Sequence, residues 1–371
     1  MAYLIHKSNL SERNLSFIPS ELKLFKNLVT LNLSYNLLTD FCELPKCLKC
    51  ICLNDNDLEF LPEHFFNLTN LEIIELRGNI LSKLPKSIRK FKNLKKLDVS
   101  HNQIFYIHSS IGELSKIEKI IMPWNKIESL PNSINKLKNL NSINLNHNEI
   151  IKFPDNCECL FKLKELFLSN NLLTNVETVC KIKSLEMLFL NKNKISVIPD
   201  SISNLKNLKY LYLSENNISS LPDEIIKCNE LIQLYLLENF FTNIETICKI
   251  KSLEMLFIDK NQILEIPDTI CNLENLKYLY LSENKIKSLP TNIKNCKKLR
   301  GLNLRSNKIS QISIKLFSLL SNLDLLDLRK NPILYPVDST VIDICVLKKE
   351  MGDRLLIDNI NYKKLRIFIF N

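Results

Sequence analysis

The chain has 371 residues, 45% of them apolar and 24% charged, which is enough to bury a large core. With 4 glycines and no Gly/Ser-rich or Pro-rich stretch, its composition excludes a flexible linker between globular domains, so the length must come from repetition. The net charge of +10 raises nucleic acid or an anionic membrane as partners, and only the location of the charge can decide between them.

The N-terminal MAYLIHKSNLSERN has no apolar run after a basic start, and no later apolar run approaches the ~18 to 20 residues of a membrane span, so neither secretion nor a transmembrane segment is expected. Residues 1–23 form a worn repeat, read as a degenerate N-terminal cap. Ile5, Leu10, Leu15 and Ile18 keep its register, while Ser8 and Arg13 stand where Leu and Asn recur later.

From residue 24 to residue 336 the phrase L-x-x-L-x-L-x-x-N-x-L-x-x-L-P recurs in fourteen copies. Its asparagines are Asn36, Asn56, Asn79, Asn102, Asn125, Asn148, Asn171, Asn193, Asn216, Asn239, Asn261, Asn284, Asn307 and Asn331, spaced by 20 once, 24 once and otherwise 22 or 23. The period-two alternation of L-x-L puts the leucines on one face of a short strand and the intervening residues on the other. One coil cannot cover its own leucines, so stacked coils share a core and build a parallel sheet. Each asparagine ends its strand, with an amide able to donate to and accept from backbone groups of neighbouring coils. The second apolar run, such as SISNLKNL at 201–208, returns as short helical or 3-10 turns. A sheet on one side and bulkier turns on the other bend such a stack into a horseshoe, an α/β solenoid with the sheet on its concave face.

Chemistry is sparse along the way. CELPKCLKCIC places Cys42, Cys47, Cys50 and Cys52 like a metal knuckle. Cys50 and Cys52, however, are outward positions of one strand, and Cys42 and Cys47 lie in the preceding return segment, so the four are read as reduced thiols without a metal. Cys180 and Cys248 occupy equivalent positions in two coils, as do Cys228 and Cys296, which reads as small buried side chains. The histidines are His6, His64, His101, His108 and His147, none beside a nucleophile motif, and no phosphate-binding glycine loop occurs. His101, Trp124 and His147 precede the asparagine in three successive coils and read as an aromatic rim. At ~4.8 Å per strand the two histidines are too far apart to share a metal. No catalytic residue, cofactor or metal is expected.

The outward columns are more informative. Between the two strand leucines, six successive coils place an aromatic ring: Phe167, Phe189, Tyr212, Tyr235, Phe257 and Tyr280. One step earlier stand Met187, Tyr210, Met255 and Tyr278. Aromatic neighbours on adjacent strands stabilise each other by ~0.2 to 1 kcal/mol per pair. A large exposed apolar surface also marks a contact site, so these ten residues are the expected partner-binding residues. Around the six rings the outward acids Glu165, Glu215, Glu238, Asp259 and Glu283 outnumber Lys192 and Lys260. That balance does not suit phosphate and favours a partner with apolar and basic groups, not nucleic acid. The basic segment KSIRKFKNLKK from Lys86 lies on the outer turns, where peripheral contact with anionic lipid is possible but unsupported.

Two stretches, 177–222 and 245–290, are identical at 35 of 46 positions, which reads as duplication of a three-coil block. Phe167 and Tyr235 lie outside the copied pair and still extend the aromatic column. After Pro336 the period ends, and 337–371 is read as a C-terminal cap. Its helix is expected from about Thr340 to Met351, N-capped by Ser339 and closed by Gly352, followed by a second short element and a terminal apolar strand.

On the fourteen phrases quoted above the chain resembles the leucine-rich-repeat family. LPDEIIKCNEL and LPKSIRKFKNL look like the intracellular Ras-group and Scribble-like scaffolds. The 22-residue spacings, with NVETVCKIKSL lacking Leu-Pro, look like the phosphatase-regulator subclass. The resemblance implies a cytoplasmic, non-enzymatic adaptor or scaffold in signal transduction, which grips a peptide, helix or globular protein on its concave face. The alternative it implies is a regulatory subunit acting on a protein phosphatase or a Ras-like GTPase pathway. RNLSF at Arg13 is a weak hint of a phosphatase-docking motif. An enzyme or host-targeting effector would need an added catalytic module, and only about 35 residues follow the last repeat.

Overall fold

The structure, a computed structural model, describes residues 5–334 and 339–358. Contacts divide the chain into two units, Met1–Tyr212 and Leu213–Asn371.

In the first unit, three-residue strands from Lys7–Asn9 to Tyr210–Tyr212 pair in parallel, coil after coil. The register joins Leu31, Ile51, Ile74, Leu97, Ile120, Ile143, Leu166, Leu188 and Leu211 in one line, each at most 1% exposed. Parallel pairing is required because every coil returns to its start before the next strand begins, which only a crossover connection allows. The second unit repeats the scheme from Gln233–Tyr235 to Leu325–Asp327, with Leu355–Leu356 added beyond the last repeat.

The return segments are mostly five-residue 3-10 turns such as Lys86–Lys90 and Asp200–Asn204, each burying one isoleucine. The Leu-Pro step sets their start. Pro85 and Pro199 precede the turn in extended backbone, where proline's fixed φ is satisfied and its missing N–H costs no ladder bond. In the first unit Phe41, Phe65 and Phe91 pack edge to face, with centroids 5.4 Å apart in each pair, and thicken the core under the return turns.

The asparagines sit where the strand ends. Asn102 Nδ2 donates to the carbonyls of Leu76 (2.9 Å), Val99 (3.1 Å) and Ser100 (3.1 Å), and its Oδ1 accepts from Leu81 N at 2.9 Å. Asn284 does the same in the second unit, donating to Ile258, Leu281 and Ser282 and accepting from Ile263 N. One amide therefore closes the turn of its own coil and binds it to the coil before. Asn331, in the last repeat, is half-buried, whereas the other thirteen are buried.

The residue before each asparagine adopts a left-handed backbone, with φ between 51° at His101 and 65° at Gly78. Only Gly78 is a glycine. Tyr35, Trp124, Lys192 and Glu283 take the same conformation, which costs a residue with a Cβ ~1 to 2 kcal/mol and must be offset by the bonds around it.

The C-terminal segment differs from expectation in where its helix begins, at Ile344 and not about Thr340, and in what caps it. Its helix spans Ile344–Met351, and the N-cap is Asp343, not Ser339, with the Asp343 carboxylate accepting from Cys345 N at 2.8 Å. The Ile342 amide is already bonded to Ile312 O, and Ser313 and Val341 form a bridge, which holds residues before Asp343 extended. Gly352 closes the helix with φ 57°. A short 3-10 turn and the strand Leu355–Leu356 follow, and the expected terminal apolar strand lies outside the described residues.

Candidate partner-binding surface

The residue on either side of each central strand leucine leaves the opposite face of the sheet. In the first unit this sets Phe167 against Phe189 (centroids 4.7 Å, planes 22° apart) and Phe189 against Tyr212 (4.1 Å, 8°). In the second it sets Tyr235 against Phe257 (4.4 Å, 4°) and Phe257 against Tyr280 (4.5 Å, 8°). The spacing is that of the strands, ~4.7 to 4.9 Å, so the sheet itself dictates ring-on-ring stacking.

Stacking corrects the expected exposure. All six rings are half-buried, and none is among the exposed large apolar side chains. Each unit presents ring edges and tyrosine hydroxyls, while the ring faces are spent on each other. Met187, Tyr210, Met255 and Tyr278 in the next column are also half-buried. Tyr278, paired in register with Gly301, packs its ring so close that a Cβ there would sit 2.7 Å from Tyr278 Cδ1, so a side chain at this position forces the ring to shift. Tyr235 Oη donates to Gln233 Oε1 at 3.0 Å.

The acids among the rings are not equivalent, although the sequence counts them alike. Asp259 is buried and turned inward, accepting from Ser282 N and Oγ, and burial pushes its carboxyl above the ordinary range. Glu238 is paired with Lys260 at 2.6 Å. Glu283 is exposed and makes no salt bridge among the described residues. The negative charge offered to a partner is thus smaller than the sequence count.

At the ridge beside the strands, Trp124 stacks on His147 (3.7 Å, 9°) and His101 (5.7 Å, 13°) and is 51% exposed. Burial foremost, then the charges of Lys192 and His101, hold the His147 imidazole below its ordinary range. The RNLSF stretch is committed to its coil: the amides of Arg13 and Leu15 both donate to Asn36 Oδ1. It is therefore not free to pair as an extended docking motif.

Sequence reasoning missed one cluster. In the first unit Cys52 Sγ lies 3.4 Å from Glu75 Oε2, and Glu75 Oε1 is bridged to Lys96 Nζ at 2.6 Å. Cys52 and Glu75 follow one another in the outward column between the strand leucines, and the strand register sets them side by side. Among the described residues no group of three or more His, Cys, Asp or Glu side chains is placed to hold a metal ion, and no helix is long and apolar enough to cross a membrane.

The leucine-rich-repeat model matches residues 48–104, 161–218, 183–241 and 207–263, and a two-copy form of it matches 274–319. No curated protein matches the chain by sequence. A solved leucine-rich-repeat protein of Leptospira interrogans is 30% identical, with 96% of each chain covered and a TM-score of 0.79. The plant peptide hormone receptor RGFR1, solved in complex with RGF2, is 24% identical over 95% of this chain and 66% of its own, with a TM-score of 0.68. TLR13, solved in complex with ssRNA13, is 22% identical over 95% of this chain and 50% of its own, with a TM-score of 0.73. With matched repeats in both units, the asparagine ladder and a relative alike over nearly its whole length, the chain belongs to the leucine-rich-repeat family.

Proposed function

We propose that the strand face binds a protein or peptide partner and that the chain works as a non-enzymatic adaptor or scaffold in intracellular signalling, of the Ras-group or Scribble-like kind. The observation that carries this reading is the pair of stacked aromatic rows, whose edges and hydroxyls remain part-exposed on a regular parallel sheet. A ring edge is electropositive and a tyrosine hydroxyl both donates and accepts, so such rows suit backbone carbonyls and the apolar stems of a peptide. Glu283 adds a preference for a basic side chain near the second row.

An RNA partner is the outcome to test against, because TLR13 carries RNA on the same fold. Charge argues against it here. Near the rings Lys260 is neutralised by Glu238, and a phosphate backbone needs several free cations.

The experiment is affinity capture from source-cell lysate, with and without RNase, using the native chain and two variants, Phe189→Ser/Tyr212→Ser and Tyr235→Ser/Phe257→Ser. Protein partners that survive RNase and fall at least tenfold with either variant, at unchanged circular dichroism, support the proposal. Partners unaffected by both variants, or lost on RNase treatment, overturn it.

A further inference from the structure

Cys50 and Cys52 flank the fully buried Ile51 in one strand, so both thiols leave the same face, two residues apart. Both are half-buried and free. The other two thiols of the cluster go elsewhere: Cys42 Sγ approaches Ile18 O at 3.4 Å, and Cys47 Sγ approaches Leu28 O at 3.2 Å. A four-thiolate zinc site is therefore not assembled, and the outward pair remains alone.

A carboxylate held by a lysine stands beside the pair. Glu75 Oε2, 3.4 Å from Cys52 Sγ, accepts from that thiol and from Asn54 Nδ2, and Lys96 Nζ holds the same carboxylate at 2.6 Å. Burial opposes the charge on Glu75, but the Lys96, Cys52 and Asn54 hydrogen bonds, with the Lys96 charge, keep its carboxyl below the usual range. Buried Cys157 and Cys248 are pushed up to about 12 by burial. Cys50 and Cys52 are shallower than these two and stay within reach of an ion from solvent.

A disulfide does not suit this geometry. Residues two apart on a strand lie ~6.6 to 6.8 Å apart at Cα, the upper limit for a disulfide, with Cβ vectors parallel and not converging. A linear two-coordinate metal asks for less. With bonds of ~2.3 Å its two sulfurs stand ~4.6 Å apart, which χ1 rotation of two parallel side chains can provide.

We propose that Cys50 and Cys52 form a two-thiolate site for a soft monovalent metal ion, Cu(I) being the ion whose preference for thiolate and low coordination number matches the pair. Binding joins one Cu(I) to both sulfurs and releases both thiol protons, with no change of oxidation state. The resulting dithiolate complex carries one negative charge, and Cys52, once metal-bound, no longer donates to Glu75, whose carboxylate stays paired with Lys96.

The test uses the reduced, full-length chain under anaerobic conditions with Cu(I) buffered by bicinchoninate. The native chain should withhold one equivalent more than Cys50→Ser/Cys52→Ser and release two protons per ion bound. Each single serine variant should weaken retention at least tenfold, while Cys345→Ser, an exposed thiol elsewhere, should change nothing. Equal retention by the native chain and the double variant, or zinc held as tightly as Cu(I), overturns the proposal. Matching thermal melts of native and variant chains show that the comparison is between folded proteins.

Discussion

A single asparagine amide carries much of the inter-coil adhesion, and its energetics can be isolated. Asn102 is 9% exposed and satisfies three carbonyls and one amide. Asn102→Ala should cost ~1 to 3 kcal/mol through the groups left unpaired in a buried place. Chemical denaturation should also show a broadened transition, because a weakened interface uncouples neighbouring coils. Asp259 gives a prediction of opposite character. Burial raises its folded-state pKa, so the stability it contributes is fully present below the ordinary carboxyl pKa and is lost as pH rises through the folded value. Asp259→Asn has no such step and its side-chain oxygen can still accept from Ser282. The urea midpoint of the variant should therefore gain on the native chain as pH rises from about 3.5 to 7. A midpoint difference that stays constant with pH contradicts the assignment.

At the scale of the element, strand positions and the alternation of inward and outward residues are legible because a period of two leaves the apolar set only one face. Leu188 and Phe189 are adjacent in sequence and opposite in environment for that reason. What the sequence does not display is how outward side chains meet across strands. Six aromatic residues at one repeat position read as an exposed stripe, yet strand spacing forces their faces together. Asp259 counts as an outward acid until Ser282 on the next coil is placed beside it. The helix cap sits at Asp343 and not at Ser339 because the bridge at Val341 and the Ile342 bond to Ile312 are long-range contacts, which a cap signature cannot register. Gly301 supplies an element-scale test. Gly301→Val should displace the Tyr278 ring and destabilise by ~1 to 3 kcal/mol, whereas Gly301→Val combined with Tyr278→Ala should recover part of the loss. A double variant no more stable than the single one contradicts the ring-over-glycine packing.

For the whole molecule, repetition explains length without linkers, and the net charge of +10 says little about partners because around the rings the outward acids outnumber Lys192 and Lys260. The functional claim therefore rests on surface chemistry: stacked rings with exposed edges on the strand side, set against isolated apolar side chains such as Phe161, 67% exposed, on a return segment. The most direct test places a photo-crosslinking benzophenone amino acid at Phe189, at Phe257 and at Phe161 in separate chains expressed in the source cells. The account predicts discrete protein adducts from position 189 or 257 and none from 161. Adducts from 161 alone, with both strand positions silent, would contradict it.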